Sequence, residues 1–153
     1  MRKEENMKKI IILVLILALC LTFFSSCNII EDAQNADALL KEFVGALGDR
    51  NFEKAATYVH PDANISKTDL EDMVNKFEAE FNLVLSSNVE YKELTQMYTH
   101  FSSTVIPKTQ QTTYTIGYKV LIGERIFDLN AIVVEDLNGE GIMSFELVLG
   151  IGF

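Results

Sequence analysis

The chain has 153 residues, is 48% hydrophobic and carries a formal net charge of −9, for a mean hydropathy of +0.15. Residues 10–24 hold fourteen of the apolar side chains, and beyond residue 26 nine basic side chains face twenty acidic ones, a net −11. This excludes a basic nucleic-acid binder; a single long apolar run excludes a polytopic membrane protein, and two cysteines exclude a disulfide scaffold.

The N-terminus reads as an address. Lys8-Lys9 precede fifteen mostly apolar residues, which give way to Ser25-Ser26 and Cys27. Charged, apolar and small-residue regions in that order make a secretory signal, with Met1 or Met7 as its start. Fifteen helical residues span about 22 Å, short of the roughly 30 Å hydrocarbon core, so a transmembrane anchor is disfavoured. Phe24-Ser25-Ser26-Cys27 resembles the lipobox of bacterial lipoproteins, although Phe24 stands where an aliphatic residue is usual. The resemblance implies cleavage before Cys27, a diacylglycerol on its thiol and an acylated amino group. Two acyl chains hold a protein at a membrane where one does not, each buried CH₂ contributing about 0.8 kcal/mol. The expected divisions are a signal peptide over 1–26, a lipidated Cys27 with a short tether over 27–35, and a folded domain over 36–153. The tether, residues 28–34, reaches about 24 Å when extended.

Three helical patterns follow. Ala36, Leu39, Leu40, Phe43 and Leu47 share one face, with Gly48 as the stop. Asn51 caps a second helix with Phe52, Ala55, Ala56 and Val59 inward, ending by His60 because Pro61 disfavours a helical residue before it. Thr68-Asp69-Leu70-Glu71 fits a capping box, opening a third helix whose face is Leu70, Met73, Val74, Phe77 and Phe81.

The period then changes. Short strands are expected over 83–93 and 95–106, with Pro107 marking an end. Tyr114, Ile116, Tyr118, Val120 and Ile122 alternate with more polar neighbours, a half-buried strand. Gly123-Glu124 makes a tight turn, Ile126–Val134 returns, Asn138-Gly139 signals a hairpin, and Ile142–Leu149 is the last strand. Helices followed by antiparallel strands give an α+β domain with the helices packed on one face of a curved sheet.

The order resembles the nuclear transport factor 2-like superfamily, also called SnoaL-like or cystatin-like cones. The carrying residues are Ala38–Asp49, Phe52–Val59, the His60-Pro61-Asp62 turn and the Glu135–Gly139 hairpin. The likeness extends to small secreted lipoproteins of this superfamily. It implies a cone whose enzymes use an Asp or His base with a Tyr donor, and a sheet face that often dimerises.

Tyr58, Asp62, Tyr114 and Tyr118 are the candidate pocket residues, with His60, Tyr98 and His100 as further titratable groups. An acid–base site needs a burial-shifted carboxylate or imidazole and a donor over the developing oxyanion. Asp62 follows a proline, where Asp commonly forms turns, and the tyrosine alternation reads first as core lining. No catalytic set, metal-ligand spacing or phosphate-binding glycine loop is present, so no catalytic residue, metal or cofactor is assigned. The expected function is a lipid-anchored, extracytoplasmic binding or interaction domain. The alternative is a small cone-pocket isomerase or hydrolase. Expected partners are the membrane through Cys27, and either a second copy through the sheet face or an envelope protein.

Overall fold

The computed structural model describes residues 31–105 and 108–150. Cys27, the preceding signal and Pro107 lie outside the described residues. The chain divides into two units, Met1–Asn35 and Ala36–Phe153, and the second holds the packing described below. Among the described residues no helix is long and apolar enough to cross a membrane.

Helix α1 covers residues 31–48 and so takes in residues 31–34 of the expected tether. Its buried face is Ala36, Leu40, Phe43, Val44, Ala46 and Leu47, the expected stripe widened by Val44 and Ala46, with Leu39 only half-buried. The helix stops at Gly48, as expected. In the turn that follows, Arg50 takes a left-handed φ of 58° while its N–H reaches the Leu47 carbonyl at 3.1 Å. Gly48 also serves packing. A Cβ there would lie 2.3 Å from the Ser86 carbonyl carbon and the Ser87 nitrogen, so only glycine lets that backbone approach.

Helix α2, Phe52–Thr57, is capped by Asn51, whose side chain accepts the Lys54 N–H. It buries Phe52 and Ala55 and stops at Tyr58, and Pro61–Ala63 forms a single 3₁₀ turn. Helix α3, Lys67–Phe81, begins two residues earlier than the sequence pattern suggests. The capping box is Ser66 with Asp69, not Thr68 with Glu71: the Ser66 N–H and hydroxyl donate to Asp69 Oδ2 at 2.8 and 2.6 Å. The shorter aspartate closes the box as a glutamate would, which holds its carboxyl below the usual range through these Ser66 hydrogen bonds.

Residues 83–89 are not a strand. Leu85 is buried there, its N–H held at 2.8 Å by Glu78 of α3. The two short strands expected next are one, β1 (Glu90–Val105), followed by β2 (Lys108–Ile122), β3 (Arg125–Asp136) and β4 (Gly139–Leu149). They pair antiparallel in the order β1-β2-β3-β4, an open four-stranded sheet. The architecture is therefore α+β, helices first and then the sheet. Gly123, with φ 63°, turns β2 into β3 as expected. The β3–β4 loop residues are Leu137 and Asn138, with Gly139 already paired to Asp136. The register follows from Asp136, whose carboxylate accepts the Asn138 N–H at 2.7 Å in a local turn.

One sheet face carries the core. Tyr114, Ile116, Tyr118, Val120 and Ile122 of β2 and Phe127, Leu129, Ala131 and Val133 of β3 are all buried. Phe127 meets Phe77 and Phe81 at 5.1 Å, and Phe145 meets Phe43 at 5.3 Å, joining helices to sheet. The fully buried rings, Phe43 and Phe127, each contribute roughly 1.5–3 kcal/mol by leaving water, and the half-buried ones less. The register puts Tyr98, Thr115, Ile132 and Ser144 in one row across the other face, where Tyr98 is 66% exposed and no described helix covers it.

Candidate functional site

The four candidate pocket residues do not meet. Tyr58 donates its hydroxyl to Glu42 Oε2 at 2.5 Å, Tyr114 to Glu135 Oε2 at 3.4 Å and Tyr118 to Asp37 Oδ1 at 2.7 Å. Asp62 accepts from Asn138 Nδ2 at 3.0 Å. Tyr114 and Tyr118 share a face of β2 but stand about 13 Å apart along it. Tyr98 and His100 lie exposed on β1. Each hydroxyl thus bonds a carboxylate on another element, Glu42 and Asp37 on α1 and Glu135 on β3.

Around Tyr118 a polar clamp joins α1 to the sheet. Lys41 Nζ reaches Asp37 Oδ2 at 2.7 Å, one helical turn away, and lies 5.0 and 5.4 Å over the rings of Tyr118 and Tyr91. Those rings meet edge to face at 5.1 Å. Burial first, then the charge of Asp37, pushes the Tyr91 hydroxyl well above its ordinary range, and burial with the Asp37 bond raises Tyr118. Partial burial pulls the Lys41 ammonium down, yet its bonds to Asp37 and Tyr118 outweigh that and hold it above the ordinary value. The clamp fastens α1 to β1 and β2. Asp37, Lys41 and Tyr91 carry no motif, and only the eighty-one-residue contact between Asp37 and Tyr118 reveals them.

His60 is the centre of a second cluster. It is 1% exposed and does not bind terminal helix carbonyls. Its Nδ1 accepts the Asp62 N–H at 3.2 Å, which assigns the ring proton to Nε2, 3.3 Å from Asp136 Oδ1. The ligand atoms of His60, Asp62 and Asp136 lie within 4.8 Å of one another, a spacing a metal ion could bridge. Both imidazole nitrogens are already engaged, however, so no lone pair is open to an ion without breaking the turn. The group works as a latch. The His60 N–H donates to the Ile142 carbonyl at 3.0 Å and the Ile142 N–H to the Tyr58 carbonyl at 2.7 Å, setting Val59 beside β4.

The feature open to a ligand lies elsewhere. A groove of about 220 Å³ runs between α3 and β4, lined by Leu47, Met73, Val74, Phe77, Leu85, Phe145 and Leu147. Glu146 is its single ionisable lining residue. None of the four candidate pocket residues lines it. The sequence pattern assigned Met73 and Phe77 to core; the groove exists because α3 and the edge strand stand apart there. Apolar walls suit an apolar ligand group; strand alternation turns the Glu146 side chain to the face opposite Phe145 and Leu147.

No family model matches the chain, and neither a curated protein nor a solved structure is significantly similar to it.

Proposed function

We propose that this protein is a lipid-anchored lipoprotein of the extracytoplasmic membrane face whose folded domain binds a ligand or partner without catalysing a reaction. The observation that carries the binding half is the apolar groove between α3 and β4. The hydroxyls, imidazole and carboxylate that an isomerase- or hydrolase-like site would use are bonded within the fold instead. The anchoring half rests on Ser25-Ser26-Cys27 after an apolar run. Helices laid on one face of an antiparallel sheet support the finer, nuclear transport factor 2-like reading of the fold. The uncovered row through Tyr98 and Ile132 gives an envelope protein or a second copy a surface to meet.

Two measurements test this. A Cys27→Ala chain should lose lipid labelling and processing; unchanged membrane fractionation and processing would sink the anchor. For the domain, the methyl resonances of Met73 and Leu147 should shift saturably with cyclohexanol while that of buried Ile116 stays fixed. No shift at either groove methyl would remove the binding reading.

A further inference from the structure

The groove borders a strand that has no neighbour along most of its outer side. β4 is an edge of the sheet, and the Tyr58–His60 segment pairs with it only at Ile142. The Gly150 N–H donates to the Ile126 carbonyl at 2.9 Å. Hydrogen-bonded and non-bonded pairs alternate along an antiparallel ladder. Counting back from Gly150 through the register, Glu146 and Ser144 point their backbone groups at β3, while Phe145 and Leu147 point theirs outward. Among the described residues no backbone partner meets those outward groups.

Hollows flank this stretch on both faces. The groove on the helix side takes in Phe145, Glu146 and Leu147. A shallower hollow of about 460 Å³ takes in Ser144, Phe145 and Glu146, together with Thr115 and Ile132 of the uncovered face. A strand laid against β4 would alternate its side chains between the two faces, so each set has a place to go. Charge selects the occupant. β4 carries Glu140 and Glu146 and no basic residue, within a domain of strong negative charge. A second β4 placed edge to edge would bring like charges together, whereas a cationic strand would be drawn in.

We propose that the Ser144–Leu147 edge of β4 receives an extended peptide with alternating apolar and basic residues as a fifth strand. This rests on the binding-domain reading and names its partner. The apolar residues fill the groove against Met73 and Phe77, the basic residues meet Glu146, and the peptide backbone bonds the outward groups of Phe145 and Leu147.

The test is a titration of the full chain in zwitterionic detergent micelles with a blocked seven-residue peptide alternating valine and lysine, read by amide hydrogen exchange and chemical shift. Saturable binding that slows exchange at Phe145 and Leu147 is expected. N-methylation of alternate peptide residues, which removes the donors without changing charge, should weaken binding at least tenfold. Glu146→Lys, at an exposed position, should do the same and leave the far-ultraviolet spectrum unchanged. Protection that maps to other residues, or binding indifferent to N-methylation, overturns the proposal. So does a chain that sediments as a dimer with those amides protected before any peptide is added, because the occupant is then a second copy. If cyclohexanol still shifts the groove methyls while the peptide does not bind, strand addition falls and the binding domain stands; if neither binds, both fall.

Discussion

The two edges of the sheet are built on opposite plans. β1 starts with irregular pairing between Tyr91 and Glu93 and again between Leu94 and Gln96, and Glu90, Lys92 and Glu93 sit in that same stretch. Bulges and charges are how sheet proteins blunt an edge against further pairing. β4 is pinned near its start by Val59 and His60, and from Phe145 on its side chains are apolar except for Glu146. Exposure alone does not separate the two, since Tyr98 and Phe101 on β1 are more exposed than Val148 and Leu149 on β4. β4 has an irregularity of its own, at Met143 between the Ile132 and Val133 pairs, and its register is regular from Ser144 on. What separates the two edges is that this regular stretch of β4 has hollows on both faces.

The comparison breaks most severely at the pin. A Cβ on Gly141 would lie 2.4 Å from the His60 nitrogen and 2.7 Å from its Cα. Gly141→Val should therefore destabilise the domain by about 3 kcal/mol or more, because backbone must move. Chemical denaturation with a midpoint equal to wild type would contradict the close approach. His60→Ala comes next. It leaves the Asp62 N–H and Asp136 without their ring partner and opens a cavity, an expected loss of about 2–3 kcal/mol. Loss of exchange protection at the Ile142 amide should accompany it, and a stable variant with that amide still protected would show that the latch is dispensable.

The clamp at the β1 side gives a pH prediction. The folded-state Tyr91 hydroxyl titrates above its unfolded value of about 10. Its neutral form is thus favoured by folding: the stability is fully present below pH 10 and is lost as pH rises toward the folded value. Tyr91→Phe cannot ionise and should flatten alkaline unfolding between pH 10 and 12; an unchanged alkaline limb would place the loss elsewhere. The smallest effect belongs to the blunted edge. Tyr98→Ser and Phe101→Ser remove exposed rings and should each shift stability by no more than about 0.5 kcal/mol. A larger loss would mean that this surface is covered in solution.

Much of the fold was legible where one face is buried and the other wet. The stripe of α1, the Asn51 cap and the β2 alternation follow directly from that asymmetry. β1 was not legible as one strand, because from Tyr98 to Thr104 both faces are exposed and no alternation is imposed. The stop at Gly48 was legible too, but not that the same glycine admits the Ser86–Ser87 backbone. Asp37 with Tyr118, and His60 with Asp136, are pairings across eighty-one and seventy-six residues. No local pattern encodes them. The groove escaped for a related reason: its walls are ordinary core residues, and only the gap between α3 and β4 distinguishes them.

Residue-resolved amide exchange on the peptide-free chain tests the contrast between the edges most directly. The account predicts slow exchange at Ile142, bonded to Tyr58, and at Glu146, turned toward β3, with fast exchange at Phe145 and Leu147 between and beyond them. Uniform slow exchange along Ile142–Leu147 in a monomeric chain would mean that the edge is already covered, and would contradict it.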